Sequence, residues 1–211
     1  GRGFDALERE SLQLGCIATT RRFFENGKLT RKRWKDALAE VTAEFQQFAS
    51  TYRALGWKEA LGASGTNKAI GEICAAMKLT KGAVTAQALP VVRDRLLQAD
   101  RIEAIDLPGL SAERRPIIAG GVLILEAAFN ALGLERMAVS KAAMREGVLY
   151  DMVGRGGAHD PRDAAVGARV VVAHLPPPQV PGHADDLLDA VRGRRVERLG
   201  LADRVHEQRG E

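Results

Sequence analysis

Apolar residues recur every three or four positions from Trp34 through Leu38, Val41, Phe45, Phe48 and Tyr52 to Leu55, which gives a helix one continuous apolar face. Thr30 stands where an N-cap hydroxyl is needed and Gly56 where the helix must stop, so this stretch is expected to pack its stripe on a sheet. Upstream, from Phe4 to Ile17, apolar positions alternate, with Leu12, Leu14 and Cys16 on one side, and one or two strands are expected. Trp57 to Leu61 reads as a short strand, Gly62-Ala63-Ser64-Gly65-Thr66 as a turn, and Ala69, Ile70, Ile73, Cys74 and Met77 as the stripe of a second helix. The stretch from Thr85 to Gln98 is helical in pattern, although Pro90 interrupts it unless the helix begins there. After a loop at Asp106 to Leu110, Ser111 caps a turn that leads through Pro116 and Gly120-Gly121 into a helix from Val122 to Leu132, apolar nearly all round and therefore buried. Arg136 to Val139 predicts a strand, Lys141 to Val153 a helix, and Asp160-Pro161 the cap and first turn of a helix running to about His174.

The pattern alternates helix and strand, and composition agrees: 45% of the 211 residues are apolar and only 5% aromatic, a balance suited to a layered α/β core. The formal net charge of +4 is too small for a dedicated nucleic-acid binder. The chain has no run of 18 apolar residues and no apolar signal core near its start, so it reads as cytoplasmic, with no membrane span. It opens without Met and directly in a strand-like pattern, so residue 1 is expected to be an interior position of something longer. Cys16 and Cys74 have no Cys or His neighbour and read as buried thiols. His159, His174, His183 and His206 share no ligand spacing. After Leu175 the character changes: four of the eight prolines fall at 176, 177, 178 and 181, and arginine replaces lysine entirely. A disordered tail is expected over 176–211.

Chemistry concentrates at the glycines. A turn that follows a strand and opens a helix presents backbone N–H groups at the positive end of that helix, where an anion can approach. In Gly62 to Thr66, the glycines remove bulk, Ser64 and Thr66 add hydroxyls, and Lys68 follows one turn later. Helix capping alone explains the same residues, and the Walker P-loop spacing is absent. Gly120-Gly121 fits either close helix packing or close approach of a ligand, and Arg114 is near enough in sequence to reach the same space.

Leu61 to Thr66, the string Leu107-Pro108-Gly109-Leu110 followed by Arg114 and Gly120-Gly121, and Val139-Ser140 leading to Met144 through Asp151 resemble exopolyphosphatases and guanosine pentaphosphate phosphohydrolases, the Ppx/GppA phosphatases. Leu7 to Ser11 with Leu14-Gly15-Cys16 is similar to a further stretch of that family, so the resemblance covers about residues 1–174.

The resemblance implies an actin-like fold of two ribonuclease-H-like domains with phosphate held between them. Residues 1–155 would be most of the second domain, without its first strands, and 156–175 the start of a helical C-terminal region. Gly62, Ser64, Gly65, Thr66, Arg114, Gly120 and Gly121 would line the cleft, while Arg145-Glu146-Gly147 would be structural. The general-base glutamate and the aspartate that supports magnesium would lie upstream of Gly1, leaving this chain without catalytic or metal-binding residues. The complete enzyme would use Mg2+, would be a homodimer, and would release terminal phosphate from inorganic polyphosphate. The sister activity on guanosine pentaphosphate is the alternative, and an inactive chain that binds a phosphate polymer or a first-domain partner is a further one. Past Leu175 the resemblance stops, and the tail reads as a frame-shifted translation. Strands lost upstream would leave an unpaired sheet edge and favour self-association.

Overall fold

Helix α5, Ile118–Leu132, is the axis of the fold: every residue of it except Asn130 is buried. The computed structural model describes residues 7–140 and the backbone of a strand at Arg169–Val172, all within a unit spanning Gly1–Pro176. By length and composition 115–132 could cross a membrane, at mean hydropathy 1.4, but 78% of it is buried inside the fold as a core helix.

Along α5 lies α2, Arg31–Leu55, which buries Trp34, Ala37, Val41, Phe45 and Ala49, while Phe48 and Tyr52 sit half-buried on one flank. Its ends follow from the sequence. The Thr30 hydroxyl accepts from the Arg33 N–H at 3.2 Å, and Gly56 at φ +65° donates its N–H to the Tyr52 carbonyl at 3.0 Å. One charged side chain enters this layer. Glu126, 5% exposed, accepts from the Trp34 indole at 2.8 Å and from Arg93 of α4, Ala88–Gln98, at 2.6 Å. Burial pulls the Arg93 guanidinium down, but hydrogen bonds and charge from Asp94 and Glu126 outweigh it and raise its pKa.

The sheet runs β2 (Val84–Thr85), β3 (Arg136–Val139), β1 (Glu59–Gly62), β4 (Arg169–Val172). β1 lies parallel to both neighbours, with Leu61 opposite Ala138 and Val171, and β2 caps the far side antiparallel to β3. The parallel strands therefore end at one edge, at Gly62, Val139 and Val172. Helix α3, Gly65–Ala76, starts from that edge.

Four expectations are corrected. Among residues 7–17 no strand forms; α1, Cys16–Phe23, begins where strand alternation was expected to end. Its buried Cys16, Thr19 and Thr20 meet α5 at helical spacing, and the Gly120 N–H donates to the Thr20 hydroxyl at 3.1 Å. Thr85 belongs to a strand, and α4, Ala88–Gln98, starts two residues before Pro90, still within the turn where its missing N–H costs nothing. Gly120-Gly121 is not a turn but lies inside the first turns of α5. Arg169–Val172 is a strand rather than the end of a helix, because its β-branched run finds a central parallel partner in β1. The expected helices over 141–153 and 160–168, Arg145-Glu146-Gly147 and the tail lie outside the described residues.

Candidate functional site

β1 delivers Gly62 to the C-terminal edge of the sheet, and the chain turns through Ala63 and Ser64 into α3. Ser64 is extended at φ −141°, ψ 160°, which lets its hydroxyl cap the helix by accepting the Asn67 N–H at 3.1 Å. Gly65 and Thr66 are the next positions, so their N–H groups stand at the positive end of the helix. Gly62 is closely packed: a Cβ there would lie 2.7 Å from the Asn67 amide nitrogen and 2.8 Å from the Met137 sulfur, so both side chains would have to shift.

Arg114 comes to the same place from the other side. It sits just before the short 3-10 turn Arg115–Ile117 that leads into α5, and its guanidinium lies over Gly65, where a Cβ would be 2.5 Å from Nη2 and 3.1 Å from Cζ. The side chain is partly buried and, among the described residues, has no hydrogen-bond or ion-pair partner. A cation held at the positive end of a helix, with no carboxylate to answer it, is unfavourable until an anion arrives. The donors gathered here are N–H, hydroxyl and guanidinium. They suit a phosphate and not a dication, and among the described residues no group of three or more His, Cys, Asp or Glu converges to hold a metal.

Five of the seven expected residues thus meet at one point: Gly62, Ser64, Gly65, Thr66 and Arg114. Gly121 stands behind them, its bare Cα against the Thr66 methyl. Gly120 faces α1 instead, where a Cβ would be 2.5 Å from the Cys16 carbonyl oxygen. Its N–H is already used by Thr20, so the glycine pair brings α5 close to α1 and α3, and the cradle itself is α3 with Arg114. Asn67, 2% exposed beneath the turn, is a residue that sequence reasoning missed. An Asn on the helix face that also carries Ile70 and Cys74 was the available signal.

The sequence profile of the Ppx/GppA phosphatase family matches residues 1–156. This chain belongs to the Ppx/GppA phosphatase family. A guanosine-5'-triphosphate,3'-diphosphate pyrophosphatase of Pseudoalteromonas translucida is 39% identical over 153 residues, covering 72% of this chain and 31% of that protein. A Haemophilus influenzae protein that bears the name exopolyphosphatase provisionally is 30% identical over 152 residues, 72% of this chain and 47% of its own. Among solved structures, the Ppx/GppA family member of Aquifex aeolicus superposes with a TM-score of 0.60 at 18% identity, over 75% of this chain and 53% of that one. The Ppx/GppA fold is therefore shared, and this chain spans about a third of the length of the Pseudoalteromonas relative.

Proposed function

We propose that this chain supplies a phosphate-holding wall of a phosphohydrolase that releases the terminal phosphate of inorganic polyphosphate. The observation that carries the reading is the Arg114 guanidinium over Gly65 at the start of α3, without an ion-pair partner among the described residues. In such a reaction water attacks the terminal phosphorus and the bridging P–O bond breaks, leaving a chain one phosphate shorter. Charge on the equatorial oxygens must be met by fixed positive groups. Arg114 and the first N–H groups of α3 meet it here. A base for the water and ligands for magnesium are assigned to a first domain, with this chain as the second ribonuclease-H-like lobe of an actin-like enzyme.

Guanosine pentaphosphate is the second reading, favoured by the name of the Pseudoalteromonas relative. Both substrates present a terminal phosphoanhydride to the same wall. Titration calorimetry of the 211-residue chain with tripolyphosphate tests the wall itself. Arg114→Ala should weaken binding at least about tenfold, the worth of one charge-assisted contact. Equal affinity in the two proteins would remove Arg114 from the site and, with it, the reading.

A further inference from the structure

The strap that carries Arg114, residues 105–117, is a succession of hydrogen-bonded turns. The Leu110 N–H donates to the Leu107 carbonyl at 3.1 Å and closes a turn with Pro108 and Gly109 at its centre. Proline first and a glycine at φ +80° second are what a type II turn requires. Another turn follows at once: the Arg114 and Arg115 N–H groups both donate to the Ser111 carbonyl, at 3.1 and 3.2 Å, and the Ile117 N–H donates to the Arg114 carbonyl at 3.1 Å. Ile105 and Leu107 are buried and Leu110 is half-buried against the core, so the start of the strap is anchored.

The first of these turns is pressed on α3. A Cβ on Gly109 would lie 2.8 Å from the Glu72 carbonyl oxygen and 3.0 Å from both the Glu72 carbonyl carbon and the Ala76 Cβ. Those atoms belong to a helix held by its buried Ala69, Ile70, Ile73 and Cys74, so the helix does not move aside. Glu72 stands seven positions after Gly65, about 10 Å along the axis. The strap therefore runs back along α3, meeting its C-terminal half at Gly109 and its first residue at Arg114. Fully extended, the chain from Gly109 to Arg114 would span about 17 Å, and the Ser111 turn shortens it, so little slack remains between the two contacts.

From these contacts we infer that Gly109 is a positioning residue for Arg114: by seating the strap on α3 it holds the guanidinium over Gly65. Gly109 itself touches no phosphate. Its missing side chain sets the distance between strap and helix at one end, and the hydrogen bonds to Ser111 carry that distance to the other. A methyl group at 109 would have to lift the strap by about 0.5–1 Å to regain ordinary carbon contact. Charge-assisted hydrogen bonds from a guanidinium are short and directional, so a shift of that size weakens them. The inference rests on the phosphate wall proposed above and names what keeps its cation in place.

The test compares the 211-residue chain with Gly109→Ala, Arg114→Ala and the double variant, using tripolyphosphate in titration calorimetry. Gly133→Ala is the control for backbone strain, because Gly133 has φ +72° but open space where its Cβ would stand. Ala76→Val crowds the Gly109 contact from the helix side with the strap sequence intact, and replaces Gly109→Ala in every comparison if that variant does not fold. Gly109→Ala should bind severalfold more weakly than the wild type, up to the roughly tenfold expected of Arg114→Ala, while Gly133→Ala matches the wild type. Once Arg114 is gone, changing Gly109 should cost nothing further, a result that a general loss of structure would not give. In the ligand-free protein the Gly65 amide resonance should shift in Gly109→Ala and not in Gly133→Ala. Wild-type affinity in Gly109→Ala and Ala76→Val, or an undiminished loss in the Arg114→Ala background, would overturn the positioning role and leave the phosphate wall standing. If the wild type binds no tripolyphosphate, the wall falls and the Gly65 resonance decides alone: a shift keeps the link between Gly109 and Arg114, and an unmoved signal removes it.

Discussion

At Gly65 one missing methyl sets the chemistry of the site. Any side chain there would displace the Arg114 guanidinium, whose Nη2 is 2.5 Å from where a Cβ would stand. The glycine is thus needed for the approach of a cation to the helix start, and not for an unusual backbone angle. Elsewhere on α3 a single residue is tuned the other way. Cys74 has no exposed surface, and burial pushes its thiol from 9.0 up to about 11. At neutral pH it is a small apolar filler with no thiolate to offer as a nucleophile. The folded chain therefore holds this proton more tightly than the unfolded chain does. That contribution is complete below pH 9, and is lost as the pH rises from 9 through about 11, because only the unfolded form gains by ionising. The loss amounts to about 2–3 kcal/mol at its fullest. Urea unfolding from pH 8 to 11 should show a steeper decline for the wild type than for Cys74→Ala, and parallel curves would contradict it.

Between elements, the decisive contact is the pin formed by Trp34 of α2, Arg93 of α4 and Glu126 of α5. It sits where two helices cross an otherwise apolar axis, so each member is costly without the others. Glu126→Ala should destabilise the fold by about 2–3 kcal/mol, since it leaves the buried Trp34 indole N–H without its acceptor and the Arg93 guanidinium with Asp94 as its remaining partner. Replacing both charged members, as in Arg93→Met with Glu126→Leu, should cost clearly less in the same urea titration, and a double variant as unstable as Glu126→Ala would show that the pin does not act as a unit. Pattern made both helices legible, α2 because it buries one helical stripe and α5 because it is apolar nearly all round. It could not show the pin, in which residues 92 positions apart meet. Nor could it place α1, because Leu12, Leu14 and Cys16 alternate as in a strand while the helix that starts at Cys16 buries the polar Thr19 and Thr20, and Thr20 bonds to the start of α5. Gly120-Gly121 illustrates the same limit. Glycines ahead of an apolar run look like a turn, but here they are the thin face of a helix that two neighbours press upon. By contrast the strand, cap and helix that carry Gly62, Ser64, Gly65 and Thr66 are local signals and were legible in the sequence, whereas the approach of Arg114 to Gly65 needed the fold.

On the scale of the whole molecule, the cradle is one-sided. Its positive groups come from the start of α3 and from Arg114 on the approach to α5. Hydrolysis of a phosphoanhydride needs a second party: a water held in line with the bond to be broken and a base to take its proton. Arg114 has no ion-pair partner among the described residues, which in the reading proposed above suits it to hold an anion and leaves the activation of water to another part of the enzyme. Holding and hydrolysing should therefore separate in this chain. Given saturating tripolyphosphate, the 211-residue protein should bind but release inorganic phosphate no faster than a protein-free control, measured by a coupled phosphate assay over hours. Release well above that control and abolished by Arg114→Ala would place the base within this chain and refute the division of labour between two lobes. Release that Arg114→Ala leaves untouched would point to a contaminating phosphatase, because any turnover that uses this wall has to pass the guanidinium over Gly65.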